Sequence, residues 1–367
     1  MNKLAFTLYS IFIILFSGFL GYYYAQHPLI TPQSPLTPLK EKLRPLDKYS
    51  FENLSKRDWQ PVELKIESEL DYKPTTVSPP YNFKQYLFSF IVDGKRVTGQ
   101  LNYPTMKPLR QQSSSHSAPV IAMFRGYAPR ETYETGIGTR PSAAVFAQNG
   151  FITVAPDFLG YGGSDPRDED EMAGRFESYP IALILLRSLI EPKFVCALPD
   201  PTSCPDSSLS TRHTSLFLFG HSNGGHIAIA TLEIAGNSPS FAGKTFPTVL
   251  WAPVSKPFPF STLVYTDEAD DLGKLQRKNL AKFEEDYDVN LYSVHNYLDW
   301  IKSPIQLHQG YSDQEILYWW SQEFEKTLTA KSKTLKAFYY PGMNHNMTPG
   351  WNTAISRSLA FFRSHTK

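Results

Sequence analysis

The chain has 367 residues, 41% of them hydrophobic and 14% aromatic, which is ample for a sizeable core in one α/β unit. Lys and Arg total 36 against 35 Asp and Glu, so no overall field favours a polyanion, and nucleic acid is excluded as the expected partner. Small neutral or apolar substrates fit this balance better.

Met1-Asn2-Lys3 is followed by an uncharged stretch from Leu4 to Tyr24, long enough as a helix to cross a hydrocarbon core of about 30 Å. Secretory signals have a shorter apolar region, about 7–15 residues, and a small-x-small cleavage site. Tyr22-Tyr23-Tyr24-Ala25 is a poor site of that kind and reads better as an interfacial aromatic belt. Residues 1–25 are therefore expected to be a retained membrane anchor, with a cleaved signal as the alternative. Lys3 and the α-amino group would stay cytoplasmic, placing the rest of the chain outside. Residues 26–60, with Pro28, Pro32, Pro35, Pro38 and Pro45, read as a semi-extended tether.

Residues 61–367 are expected to form the catalytic domain. Tyr86 to Ile91 and Arg96 to Tyr103 flank the turn dipeptide Asp93-Gly94 and predict a β-hairpin. Pro119 to Phe124 is a short apolar run suited to a buried strand. A helical segment around Ala143 to Gln148 leads to a second such strand, Phe151 to Ala155. A helix around Ile181 to Ile190 precedes a proline-rich loop carrying Cys196 and Cys204. In an oxidising compartment these two could close a small ring; unpaired thiols are the alternative. Ser215 to Phe219, Thr248 to Trp251, Ile305 to Leu307 and Leu335 to Tyr339 supply further strands. The last helix places Trp351, Ile355, Leu359 and Phe362 on one face, which is core spacing.

A hairpin followed by alternating strands and helices implies an α/β fold with a mostly parallel sheet covered on both faces. Two stretches, near 160–180 and 254–302, exceed ordinary connection lengths and sit where such a fold builds a substrate site or lid. In the second, Phe258, Phe260, Tyr265, Tyr292, Tyr297 and Trp300 suit a pocket lining and helix packing equally.

The strand ending at Phe219 runs into Gly220-His221-Ser222-Asn223-Gly224-Gly225, a G-x-S-x-G turn between strand and helix. Glycines at 220 and 224 relieve a turn too sharp for side chains, and Ser222 stands at its tip. A serine hydroxyl is a weak nucleophile and needs a base. Asp313 follows one predicted strand and His345 follows the next. His345 would take the serine proton, Asp313 would fix the imidazole tautomer, and the N–H of Asn223 would donate to the oxyanion. Glu315 is an alternative carboxylate.

The order Ser222, Asp313, His345 resembles that of the α/β-hydrolases. More specifically, the chain resembles the catalytic domain of the prolyl oligopeptidase family over roughly residues 80–365. The likeness rests on Gly220 to Gly225, on His308-Gln309-Gly310 leading to Asp313, and on Tyr340-Pro341-Gly342 leading to His345. Val154-Ala155-Pro156-Asp157 with Gly160-Tyr161-Gly162-Gly163-Ser164 adds to it. The resemblance implies an α/β-hydrolase fold and an oxyanion loop at Arg125-Gly126-Tyr127, with Tyr127 donating through its N–H or its hydroxyl. That loop departs from the family's frequent His-Gly-Gly. The lead-in is also too short for the β-propeller that commonly precedes this domain.

His221 and His226, which the elbow turns away from Ser222, read as structural, His308 as a satisfied core histidine, and Arg125 as half of a structural ion pair, with a substrate carboxylate as its alternative partner. Neither an H-E-x-x-H motif nor a paired-cysteine cluster occurs, so no metal or cofactor is expected. The sequence thus points to a membrane-tethered, extracytoplasmic serine hydrolase acting on a small peptide or ester. Peptidase activity is the first expectation and a carboxylesterase the second; a binding protein on a hydrolase fold is a remote third.

Overall fold

The computed structural model describes residues 16–19, 22, 23, 26, 43–105, 118–191, 215–266 and 269–366. The chain divides into two units, Met1–Arg44 and Pro45–Lys367. In the first, the described residues 16–19 are helical. The expected anchor over 1–25 falls largely outside the described residues, and among these no helix is long and apolar enough to cross a membrane. Cys196 and Cys204 also lie outside them.

The compact unit begins earlier than residue 61. Helix α1 (Phe51–Lys56) buries Phe51 and Leu54, and Tyr49 and Trp59 on either side of it are buried as well. The Phe51 ring packs edge-on against Tyr179 at 5.4 Å and against Tyr297 at 5.2 Å. Proline content suggested a tether through residue 60, but four large apolar side chains in this stretch are hidden from water. Burying each such side chain is worth about 1.5–3 kcal/mol, and this docks the segment.

Nine strands form one sheet in the order β1-β2-β3-β5-β4-β6-β7-β8-β9. They are β1 (Lys65–Glu69), β2 (Phe83–Val92), β3 (Lys95–Pro104), β4 (Val120–Phe124), β5 (Ile152–Pro156), β6 (Leu216–His221), β7 (Thr248–Trp251), β8 (Ile305–Gly310) and β9 (Leu335–Tyr340). The hairpin β2–β3 closes on Asp93 and Gly94, with Val92 opposite Lys95. Both turn residues have positive φ, 50° and 82°, the geometry of the primed two-residue turn that matches strand twist. Antiparallel pairing ends at β3–β5; from β5 to β9 every pair is parallel.

The apolar runs predicted as buried strands divide by alternation between two core layers. Val120, Ala122, Phe124 and Leu218 join one cluster, while Ile121, Met123, Phe217 and Phe219 join the other. Successive side chains of a strand point to opposite faces, so a strand covered on both sides is apolar throughout. The first layer includes residues of α4 (Ser178–Leu189) and α5 (Asn223–Asn237), and the second includes residues of α2 (Arg140–Gln148) and α9 (Trp351–Ser364). Ile355 and Phe362 of α9 are buried, with Trp351 and Leu359 packed against the same layer. The two long stretches carry α3 (Glu171–Phe176) in the first and, in the second, α6 (Phe260–Leu263) and α7 (Lys274–Glu284). Helix α8 (Tyr318–Ala330) joins β8 to β9.

Candidate active site

The loops after β4, β6, β8 and β9 meet at the carboxyl edge of the sheet. β6 ends at His221, α5 starts at Asn223, and Ser222 between them has φ 57° and ψ −124°. This is a strained conformation for a residue with a side chain. Its backbone is held on both sides: Ser222 N donates to Trp251 O at 3.0 Å, and Ser222 O accepts from Gly225 N at 2.9 Å and Val254 N at 3.0 Å. The flanking glycines are required by close approach. A Cβ at Gly224 would stand 2.0 Å from Phe124 O, and one at Gly220 would stand 2.5 Å from Gly224 O.

Asp313 and His345 come together as their order along the chain predicted. His345 Nδ1 lies 2.9 Å from Asp313 Oδ2, and both side chains are buried. Asp313 Oδ2 also accepts from Gln309 Nε2 at 3.0 Å, and Oδ1 accepts from Glu315 N and Ile316 N, each at 2.9 Å. Burial alone would push this carboxyl up, but the His345 contact and these donors outweigh it and hold Asp313 below the usual carboxylate range. The loops bearing the pair are laced together by Tyr311 N to Tyr340 O at 2.9 Å and Ser312 N to Met343 O at 3.0 Å.

Glu315 does not take the place of Asp313 at Nδ1. Its Oε2 lies 3.5 Å from His345 Nε2, on the other side of the ring. Among the described residues Ser222 Oγ has no hydrogen bond to His345, a spacing that in unliganded sites often tightens only once substrate is bound. The Arg125-Gly126-Tyr127 loop follows β4 directly and abuts the serine, since a Cβ at Gly126 would stand 2.8 Å from Ser222 Cβ. Asn223, the first residue of α5, has no intrahelical acceptor for its N–H.

Two expectations are corrected. Among the described residues Arg125 takes part in no ion pair. Its guanidinium donates to Gly126 O at 2.8 Å and Asp157 O at 2.9 Å and lies over the rings of Tyr133 and Tyr161, at 4.7 and 3.9 Å. Arg125 therefore ties down the loop beside Ser222. The Asp157 carboxylate beneath accepts from Thr98 Oγ1, Thr135 Oγ1, Tyr133 Oη and Gly136 N. His221 is not turned away from the site: its ring packs on His345 at 4.7 Å and its Nε2 lies 3.1 Å from His345 O. Burial, followed by the neighbouring His345, pushes His221 down to about 4, so it is a neutral donor that positions the loop of His345.

His226 and His308 are structural, as read from the sequence. His226 bonds Val254 O and Tyr179 Oη; burial, then the Arg175 charge, pushes it down to about 3. His308 bonds Tyr340 Oη at 2.7 Å and Gln306 Oε1 at 2.9 Å. Among the described residues no group of three or more His, Cys, Asp or Glu could hold a metal ion.

A cavity of about 910 Å³ opens at Ser222, between the Arg125–Tyr127 loop, α3, α4, α6 and residues 315–316. Of the six aromatics in the 254–302 stretch, Tyr265 lines it, bonding Glu315 O at 3.1 Å. Phe258 and Tyr292 instead pack around Phe176 at 5.4 and 4.9 Å. Sequence reasoning did not single out Arg175, which also lines the cavity. A lone arginine within a mixed-charge run carries no signal of what surrounds it.

Residues 207–367 match the prolyl oligopeptidase family. Over 289 residues the chain is 22% identical to the uncharacterized peptidase YtmA of Bacillus subtilis (strain 168), covering 77% of this chain and 94% of that protein. The solved structure of a puromycin-hydrolyzing peptidase of Mycobacterium tuberculosis is similar with a TM-score of 0.54 at 15% identity. That match covers 79% of this chain but only 40% of the peptidase, so this chain spans less than half of its length. Acetyl xylan esterase 1 from Thermoanaerobacterium sp. JW/SL YS485 is similar with a TM-score of 0.52 at 16% identity, covering 88% of this chain and 94% of the esterase. The chain is a serine hydrolase of the α/β-hydrolase fold, similar over residues 207–367 to the prolyl oligopeptidase family.

Proposed function

We propose that Ser222, His345 and Asp313 act as a triad that cleaves the amide bond of a small peptide through an acyl-enzyme. The observation that carries this reading is the buried 2.9 Å contact of His345 Nδ1 with Asp313, beside a serine held at a strained strand-to-helix apex. With Nδ1–H engaged by Asp313, Nε2 is left as the base. It takes the Ser222 proton as Oγ attacks the carbonyl carbon, then delivers it to the leaving amine. The oxyanion is bound by the N–H of Asn223 and that of Tyr127. The Tyr127 ring is 81% exposed, which favours its backbone over its hydroxyl as donor. Losing one such donor typically costs about 3–4 kcal/mol of transition-state stabilisation. Water activated by His345 then releases the acyl group.

A peptidase reading is supported by the family match over residues 207–367 and by the near full-length likeness to an uncharacterized peptidase. A carboxylesterase is the second reading, favoured by the likeness to an esterase over 94% of its length. The uncharged stretch from Leu4 to Tyr24 supports a membrane-anchored enzyme with its active site outside the cytoplasm.

A fluorophosphonate probe is expected to label the chain at Ser222, and unchanged labelling of Ser222→Ala would place the nucleophile elsewhere. Acyl nitrophenyl esters and peptide nitroanilides assayed side by side decide the substrate. Turnover of anilides within about a hundredfold of esters supports the peptidase, and ester turnover alone the carboxylesterase.

A further inference from the structure

One wall of the Ser222 cavity carries polar groups that have no hydrogen-bond partner among the described residues. Arg175 stands near the end of α3 and lines the cavity. Its Nε is sealed from water without an acceptor. Among the described residues its guanidinium makes no hydrogen bond or ion pair, and the Phe258 ring is 5.7 Å away. Arginine stays protonated in proteins, and Arg175 is partly withdrawn from water, so its charge gains from an anionic partner. Ser261 and Thr262 on α6 line the same cavity, and their hydroxyls are buried without a hydrogen-bond partner among the described residues.

The acids around this cavity do not supply the missing partner. Glu171, one turn earlier on α3, favours the Arg175 charge but makes no hydrogen bond or ion pair with it, and its carboxylate accepts from Asn279 Nδ2. Glu177 is held by Lys95 and by Asp168 N at 2.9 Å. Glu315 lies beside His345, and Glu131 is exposed. The helix that carries the cation is held in place. Asp170 caps α3 through Met172 N and Ala173 N, and Phe176, next to Arg175, stacks on Tyr292 at 4.9 Å. Burial disfavours its charge, and that charge depresses His226, which sits in the first turn of α5 behind Ser222. The unpaired guanidinium is thus close to the nucleophile and carried on an ordered helix, so a ligand would meet it at reduced entropic cost.

We propose that Arg175, with the hydroxyls of Ser261 and Thr262, forms an anion subsite that binds a free carboxylate on the substrate, making acidic esters or amides the preferred substrates. A guanidinium is suited to bidentate carboxylate binding, and the two hydroxyls can donate to the same oxygens. The subsite rests on the reading of Ser222 as nucleophile only for where the scissile bond lies.

Two measurements on the full chain test it. Calorimetric titration with glutarate and with neutral glutaramide reads the subsite without catalysis. Glutarate is expected to bind at least tenfold tighter, and Arg175→Met to abolish that difference; equal binding of the two by the wild type overturns the subsite. Repeating the titration in Ser222→Ala keeps the result independent of the nucleophile, whose failure would appear separately as retained hydrolysis by that variant. Mono-p-nitrophenyl esters of succinate through adipate, set against neutral esters of equal length, give the specificity. The wild type should prefer an acidic member at least tenfold in kcat/KM, and that ratio should collapse in Arg175→Met and recover in part in Arg175→Lys. Removing an unpaired cation should leave the Tm unchanged or raise it. A lower Tm with the ratio unchanged would mean that Arg175 is structural, and would overturn the proposal.

Discussion

Asp313 accepts hydrogen bonds from His345, Gln309, Glu315 and Ile316, whereas Arg175, across the same cavity, donates to nothing among the described residues. The contrast extends to the regions they belong to. At the strand ends, Ser222 is clamped through its backbone, His345 through Asp313 and His221, and the Arg125 loop through Asp157 O. In the wall built by α3 and α6, Ser261 and Thr262 have unpartnered hydroxyls beside Arg175. The groups proposed for the chemistry are satisfied within the protein, and those proposed to meet substrate are not, because a donor already engaged inside the protein gains little from a ligand.

The largest effect expected belongs to the strand ends. His345→Ala should lower kcat by about 10⁴-fold or more on the best nitrophenyl ester, with near-ultraviolet circular dichroism unchanged. A loss of less than tenfold would remove His345 as the base. Next comes the wall, which is apolar behind its polar face. Phe176 is fully buried and packs with Tyr49, Tyr179, Phe258, Phe283 and Tyr292. Phe176→Ala should cost about 3–5 kcal/mol in urea unfolding. A cost under about 1 kcal/mol would mean that the wall is not part of the cooperative core.

The smallest effect per side chain is a dependence of stability on pH. Burial, as the leading cause, holds the folded-state values of His226 and His308 near 3, against about 6.5 unfolded. As pH falls below about 6.5, the unfolded chain gains protons that the folded one refuses, so stability drops as pH falls. Each histidine contributes up to about 1.4 kcal/mol per pH unit between the two values. The urea midpoint should fall between pH 7 and 4.5, and His226→Gln and His308→Gln should each flatten the slope. His226 lies beside the wall and His308 within the sheet, so the two variants report on the two regions separately. A midpoint independent of pH would show that neither is held neutral.

The glycines at 220 and 224, the period-2 apolar strands and the chain order Ser222, Asp313, His345 were legible because each is a local pattern with a local cause. A sharp turn excludes side chains, and a strand buried on both faces is apolar at every position. The role of Arg125 was not legible. An arginine that bonds carbonyl oxygens between two tyrosine rings has the same sequence appearance as one in an ion pair, and Tyr161 and Asp157 come to it from the loop after β5. The early start of the compact unit was hidden for a similar reason. Phe51 looks like an isolated apolar residue among prolines until Tyr179 of α4 and Tyr297 of the 254–302 stretch cover it.

By itself, the amino-acid sequence determined a parallel-sheet hydrolase with a serine at a glycine-flanked turn, since backbone sterics and alternation act over a few residues. Only the tertiary structure decided that His345 meets Asp313 at Nδ1 and Glu315 on the other side of the ring, that His221 braces the loop of His345, and that Arg175 lines the cavity with no hydrogen-bond partner among the described residues. Whether a charge is paired depends on residues far apart in the chain, and folding alone brings those together.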